Sequence, residues 1–359
     1  MDNHILTGCD LHDKNMLLEI ALNKDAPTKR TFGNDVAGRK AAIAELQKRS
    51  KAAGGARIVF AYEASGLGFA LCDELTAAGI VCHVLAPSKI SRSPQQRRNK
   101  TDEKDALQIL EILRGHYLAG NELPDVWVPD KQTRDDRELV RCRLDVQEKC
   151  TSIKIQIVTL LKRNGVNKAE APGNNWTKPY RAWLAKMAAV EKPLSFGACR
   201  NLASLLRQLK AFEREVEKLD KDLAKMVKAE RYAAPAARLM AIKAVGVLTT
   251  LVFLTEMGDL NRFDNRRQVG AYLGLAPSAD ESGETNDKKG HITHQGPARV
   301  RFVLNQAVWN ILKTDPKERA VYDTIAEKNP GHKKVAVVAA MRRLGVKMWH
   351  VAGDKKKAS

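Results

Sequence analysis

The sequence holds no C-x-x-C pair. Its six cysteines, Cys9, Cys72, Cys82, Cys142, Cys150 and Cys199, stand apart from one another and from any histidine cluster, which argues against a zinc site and for buried, reduced thiols. Of the eight histidines only His291 and His294 lie close together, and they read as turn residues. No apolar run approaches the roughly 18 residues a membrane span needs, and no secretory pattern opens the chain, so a soluble, cytoplasmic protein is expected.

Acidic residues are also in short supply. Against 42 Asp plus Glu there are 61 Lys plus Arg, a formal charge of +19. With hydrophobic content ordinary for a folded protein, that excess points to a polyanionic partner, nucleic acid first and an anionic membrane surface second. A chain of 359 residues is expected to form two or three domains.

The acids that are present fall in telling places. In the stretch Arg98 to Ala106, Thr101 is suited to cap a helix, with Lys104 where a capping box would have Glu. Asp102 and Asp105 then share one helical face, where like charges repel unless a cation removes the repulsion. Acids in a first turn also complement the helix dipole without further function. Asp10 ends the apolar run Ile5 to Cys9, and Glu63 ends Ile58 to Tyr62, so both fall at the C-terminal ends of expected strands. Carboxylates at strand ends and on a later helix can converge on hard divalent cations, and two Mg2+ ions about 4 Å apart are a common clamp for phosphodiester chemistry.

Residues 4 to 10 and 17 to 22 read as a hairpin, with a further strand near Thr31 and Phe32. A helix over 36 to 51, a strand over 57 to 62, a helix over 66 to 78 and a strand over 80 to 85 follow. This order predicts a mixed sheet with helices packed on it. From Asp135 to Lys162 the pattern is helical, and after a Gly/Asn/Pro-rich break a short amphipathic helix carries Trp176, Tyr180 and Trp183, aromatics expected to pack rather than stack on bases.

Leu202, Leu205, Leu209, Phe212, Val216, Leu219, Leu223 and Met226 alternate spacings of three and four, which is a coiled-coil seam. It is expected to pair with residues 139 to 160 in an antiparallel hairpin and with another protomer in an oligomeric bundle. Met240 to Thr250 reads as helix, tight turn, helix, either a phosphate-holding helix-hairpin-helix or an ordinary helical hairpin. A loop-rich stretch from Gly274 to Pro297 leads to a helix that starts with Arg299 and Arg301, and a last helix over 335 to 346 presents Arg342 and Arg343. The tail with Lys355, Lys356 and Lys357 reads as a polyanion-binding extension.

Three motifs together, Gly8 to Lys14, Tyr62 to Gly66 and Arg98 to Ala106, resemble the acidic motifs of the bridge-RNA-guided DEDD transposases of insertion sequence family one-ten. Ala244-Val245-Gly246, Tyr272 to Pro277 and Glu281-Ser282-Gly283 follow the order of that family's transposase domain, so the likeness covers nearly the whole chain. It implies an α/β plus all-α protein: a RuvC-like, ribonuclease-H-type mixed sheet over 1–130, long coiled-coil helices over 131–232, a helical transposase domain over 233–352 and a basic tail over 353–359. It implies Asp10, Glu63, Asp102 and Asp105 as ligands of Mg2+ and Ser282 as a nucleophile. The implied partners are donor and target DNA, a structured guide (bridge) RNA that pairs with both, and further copies of the chain as a dimer or tetramer, without a membrane. Arg92, Arg97, Arg98 and Lys100, with Arg299 and Arg301, are expected on nucleic acid. Two departures from the family pattern stand out: Leu11-His12-Asp13-Lys14 after the first acid, and Thr293-His294-Gln295-Gly296-Pro297 later on.

Two other functions suit the same residues. One is a metal-dependent, structure-specific nuclease of Holliday-junction type that works through water, with Ser282 structural. The other is a non-catalytic coiled-coil scaffold that binds nucleic acid through charge alone and needs no Mg2+.

Overall fold

The computed structural model describes residues 3–90, 101–167, 171–173, 176–190, 192–279 and 289–353. Arg92, Arg97, Arg98, Lys100, Ser282 and the Lys355–Lys357 tail therefore lie outside the described residues. The chain divides into two compact units, Met1–Pro129 and Asp130–Ser359.

The first unit is built on five strands, β1 (His4–Leu11), β2 (Asn15–Leu22), β3 (Thr28–Gly33), β4 (Arg57–Glu63) and β5 (Val81–Leu85), in the order β3-β2-β1-β4-β5. Hairpin connections make β1–β2 and β2–β3 antiparallel, whereas β1–β4 and β4–β5 are parallel because helices intervene. The expected mixed sheet is present, and β3 is a full strand.

Alternation divides each strand between two cores. Ile5, Cys9, Phe60, Tyr62 and Val84 pack with Ala42 and Leu46 of α1 (Val36–Ala52) and with Leu71 and Leu75 of α2 (Ala70–Ala77). Leu6, Val59, Ala61 and Leu85 pack on the other face with Ile109, Leu110 and Leu113 of α3 (Asp102–Ala119). The α2 helix begins at Ala70, later than the expected residue 66, because Gly68 takes the left-handed conformation just before it. As expected, α3 starts at a Thr101 cap whose Oγ1 accepts from the Lys104 N–H at 3.4 Å, and it stops at Gly120 in the left-handed region.

The second unit is helical. Asp130 caps α4 (Lys131–Arg163) and is held by the Arg231 guanidinium at 2.9 Å. After α5 (Lys178–Ala189), α6 (Phe196–Met226) carries the heptad seam. Leu202, Leu205 and Leu209 are buried with Ile153, Ile157 and Leu160 of α4 and with Tyr180 and Leu184 of α5. The seam thus finds its expected antiparallel partner inside one chain, while Phe212, Val216 and Met226 stay half-buried.

The remaining helices are α7 (Glu230–Met240), α8 (Val247–Met257), α9 (Arg266–Tyr272), α10 (Ala298–Thr314), α11 (Pro316–Glu327) and α12 (Lys333–Ala352), with a short antiparallel pair, β6 (Pro277–Ala279) and β7 (Lys289–Ile292). Val140, Leu144 and Leu223 belong to the same core as Phe253, Leu304 and Met348, so the segments read as 131–232 and 233–352 share one interior at their junction. Glu256, buried on α8, receives Arg141 Nε and Nη2 at 2.8 and 3.0 Å, while Arg137 donates to the Thr255 and Glu256 carbonyls at 2.7 and 3.0 Å. These bonds satisfy charges that burial would otherwise leave costly.

One contact fixes the first unit. A Cβ on Gly8 would lie 2.2 Å from the Ala106 carbonyl oxygen and 2.4 Å from the Leu110 nitrogen, so α3 rests directly on the backbone of β1. Gly8→Ala is expected to push α3 away and destabilise the protein by about 1–3 kcal/mol in urea unfolding. Gly66→Ala, where a Cβ meets nothing within 4 Å, is the matched control. Equal stability of the two variants would contradict this contact.

Candidate metal centre

Register and helix placement bring the acids to one end of the sheet. The β1–β4 ladder closes at Cys9 and Tyr62, so Asp10 and Glu63 each follow the last paired residue. Both lie on the face that carries Gly8 and Ala61, the face covered by α3. With α3 seated on Gly8, its first turn, bearing Asp102 and Asp105, comes to the same end. Asp105 is buried and Asp102 is largely exposed.

His12 joins these groups. Its Nε2 lies 3.1 Å from Asp10 Oδ2 and 3.5 Å from Asp102 Oδ1, and ligand atoms of the three residues all fall within 4.8 Å of one another. Burial chiefly pushes the Asp10 carboxyl above its ordinary value, the charges of Asp102 and Asp105 push it further, and His12 pulls it down. The repulsion expected from the sequence therefore has a counterpart in the fold. Two carboxylates and an imidazole at this spacing, with Asp105 buried beside them, are a donor set that fits a divalent cation.

Two residues at this end escaped the sequence reading. His12 stands out in the sequence only as part of a departure from the family pattern, although a ring nitrogen two residues beyond a strand-end aspartate is a ligand type in its own right. Glu19 sits opposite Gly8 in the hairpin and is 4% exposed. Burial, and then the charge of Glu103, hold its carboxyl above the usual range, against the pull of Lys29. Only the β1–β2 register discloses it, since Glu19 stands within an otherwise apolar strand.

In the second unit, Arg299 Nη2 pairs with Asp145 at 2.9 Å. Arg301, expected on nucleic acid, instead directs its guanidinium at the protein backbone: Nη1 donates to the Leu273 and Gln295 carbonyls at 3.1 and 2.9 Å, and Nη2 to that of His294 at 3.0 Å. A Cβ on Gly274 would lie 2.0 Å from the Gln295 oxygen, and one on Gly296 would lie 1.9 Å from that of Tyr272. The two loops flanking β6 and β7 are thereby locked together, with both glycines in the left-handed region. Arg301 works as a clamp on these loops, a role its position at a basic helix start did not disclose.

Comparison with known proteins bears on both units. A family model described as Transposase, of the DEDD type, matches residues 7–164, and one described as Transposase IS116/IS110/IS902 family matches residues 236–323. The chain is 33% identical over 253 residues to y4qE of Sinorhizobium fredii, which bears a transposase name; the match covers 70% of this chain and 58% of that relative. It is 30% identical over 339 residues to y4rJ of the same organism, also named for a transposase, covering 88% and 83% of the two chains. A transposase for insertion sequence element IS1111A of Coxiella burnetii is 25% identical over 247 residues, 67% of this chain and 63% of its own. The class is a transposase. The chain belongs to the IS116/IS110/IS902 family, as the acidic motifs led us to expect.

The raised Asp10 carboxyl makes a thermal prediction for the metal-free protein. A group whose folded pKa lies above its unfolded value of about 3.9 costs stability while ionised, fully above the folded value and not at all below the unfolded one. Asp10→Asn should therefore raise Tm near neutral pH in the presence of a chelator, the gain disappearing as pH falls below about 3.9. A lower Tm at neutral pH would contradict the crowding of acids.

Proposed function

We propose that this chain is the recombinase of an insertion sequence, joining donor to target DNA under the direction of a structured bridge RNA. On this reading Asp10, Glu63, Asp102 and Asp105 hold divalent metal, Mg2+ in the cell, and Ser282 is the nucleophile. The single observation that carries the reading is the meeting of Asp10, His12 and Asp102 within 4.8 Å where β1 runs under the first turn of α3. The mixed five-stranded sheet with helices on both faces supports a RuvC-like assignment for the first unit.

Bound at these carboxylates, a divalent cation supplies charge stabilisation for a phosphodiester undergoing displacement. The protein's own groups do the rest. Asp102 and Asp105 are positioned by the Thr101 cap and by the seating of α3 on Gly8, and His12 orients the Asp10 carboxylate. The Ser282 oxygen bonds to phosphorus as the bond from phosphorus to one DNA oxygen breaks, and the serine proton ends on the departing DNA hydroxyl. The phosphoester energy is retained in the link to protein, so rejoining needs no high-energy cofactor. Sequence choice falls to pairing between bridge RNA and DNA, while the basic residues Arg92, Arg97, Arg98, Lys100 and Arg299 contact nucleic-acid backbone. A dimer or tetramer would bring the ends together. Such a protein works in the bacterial cytoplasm, at the nucleoid when on DNA.

The test is to incubate the protein with donor DNA, the RNA that copurifies with it and Mg2+, denature, and look for DNA-linked protein. Asp102→Asn and Asp105→Asn should each reduce strand cleavage by roughly a hundredfold or more, and Ser282→Ala should abolish the adduct while DNA binding persists. Wild-type cleavage by either aspartate variant would sink the metal site. An adduct that survives in Ser282→Ala would remove the serine from its role, and unlinked cleavage products from that variant would favour attack by water.

A further inference from the structure

The second unit contains a cleft of about 2200 Å³ framed by residues of the α7–α8 turn, α9, β7, α10, α11 and α12. Pockets for small molecules run to on the order of 300–1,000 Å³, so this one has room for a polymer. Seven cationic side chains line it; Arg343 pairs with Glu318 and Lys243 donates to the Thr314 carbonyl, which leaves five, Arg266 and Arg267 from α9 and Lys334, Arg342 and Lys347 from α12. None of the five forms an ion pair among the described residues. This sets the cleft apart from the helices of the same unit, where Arg143 pairs with Asp220, Arg181 with Glu213 and Arg231 with Asp130.

The acids in the lining are already engaged. Glu318 lies 3.4 Å from Arg343, Asp315 caps α11 through the Lys317 and Glu318 N–H groups, and Asp264 accepts from Gln268 at 3.1 Å. With seven cations against these three acids, the cleft keeps a net demand for anionic charge. Its walls also present apolar side chains, Ile292, Val335, Val338 and Val346, with Val335 46% exposed.

We infer that this cleft binds single-stranded DNA, its cations on successive phosphates and its apolar walls against unstacked bases. A duplex offers only its charged exterior to such walls, whereas a single strand offers phosphates and base faces together. The choice of DNA as the polymer rests on the proposed recombinase function. The cleft itself is argued from charge and lining alone. Pro277, His291 and Ile292, at the base of the β6–β7 pair, line the cleft, so a bound strand passes the clamped loops held by Arg301.

The test is a fluorescence-anisotropy titration of the full chain, in chelator, with labelled oligothymidylate, a dA·dT duplex and oligouridylate, each over a range of salt. The variants are Arg267→Gln with Lys347→Gln, and independently Arg266→Gln with Lys334→Gln, all four residues being exposed; circular dichroism and Tm check that each folds. Each pair should weaken oligothymidylate binding about tenfold and flatten its log K against log salt slope by roughly 1.4, as expected for two lost single-strand phosphate contacts. Duplex affinity should hold. Unchanged oligothymidylate affinity and slope in both folded pairs would overturn the inference, as would a loss confined to the duplex or to oligouridylate. The titration runs in chelator and reads binding alone, so failure of the acidic site leaves the cleft standing, and failure of the cleft leaves the acidic site standing.

Discussion

The close approach of α3 to β1 at Gly8 is the constraint on which the candidate metal centre depends. With no side chain at that position, helix backbone sits on strand backbone, and the distance from Asp10 to the first turn of α3 is set by main-chain contact rather than by adjustable side chains. The apolar residues Ile109, Leu110 and Leu113 hold the helix down behind this point. Ahead of it the acids crowd, at a cost that shows in the raised Asp10 carboxyl. A stable core thus sustains a locally unfavourable cluster of charge, which is how sites built to receive a cation are commonly arranged.

In the helical unit much of the positive charge is spent on structure: Arg141 on buried Glu256, Arg301 on loop carbonyls, and Arg143 and Arg181 on acids of the opposing helix. The +19 formal charge of the chain already counts these ion pairs as neutral, so it does not say where the remaining cations stand. What matters is where cations lack acids, and the cleft between α9 and α12 is such a place. The same reasoning limits the heptad seam. Because α4 and α5 bury Leu202, Leu205 and Leu209, what the seam leaves partly exposed is Phe212, Val216 and Met226.

Much of this was legible in the sequence because the signals were local. The hairpin, the strand ends at Asp10 and Glu63, the Thr101 cap and the seam all follow from periodicity and capping within a few turns of chain, and the structure carries each of them. What escaped depends on contacts between distant residues. Nothing near His12 announces Asp102, which lies ninety residues on. Glu19 is disclosed only by its register opposite Gly8. Arg301 looked like a phosphate ligand because it opens a basic helix, yet the crossing of two glycine loops turned it inward. The motifs shared with a known family reached further than local patterning, since they encode the outcome of such distant contacts.

The central claim is that the acids gathered under α3 bind a divalent cation, and direct binding tests it best. Titrating the purified protein with Mn2+ and following free Mn2+ by electron paramagnetic resonance should show saturable uptake by wild type that is lost or strongly weakened in Asp10→Asn and in Asp105→Asn, with the fold unchanged by circular dichroism. Equal uptake by wild type and both variants would contradict the account.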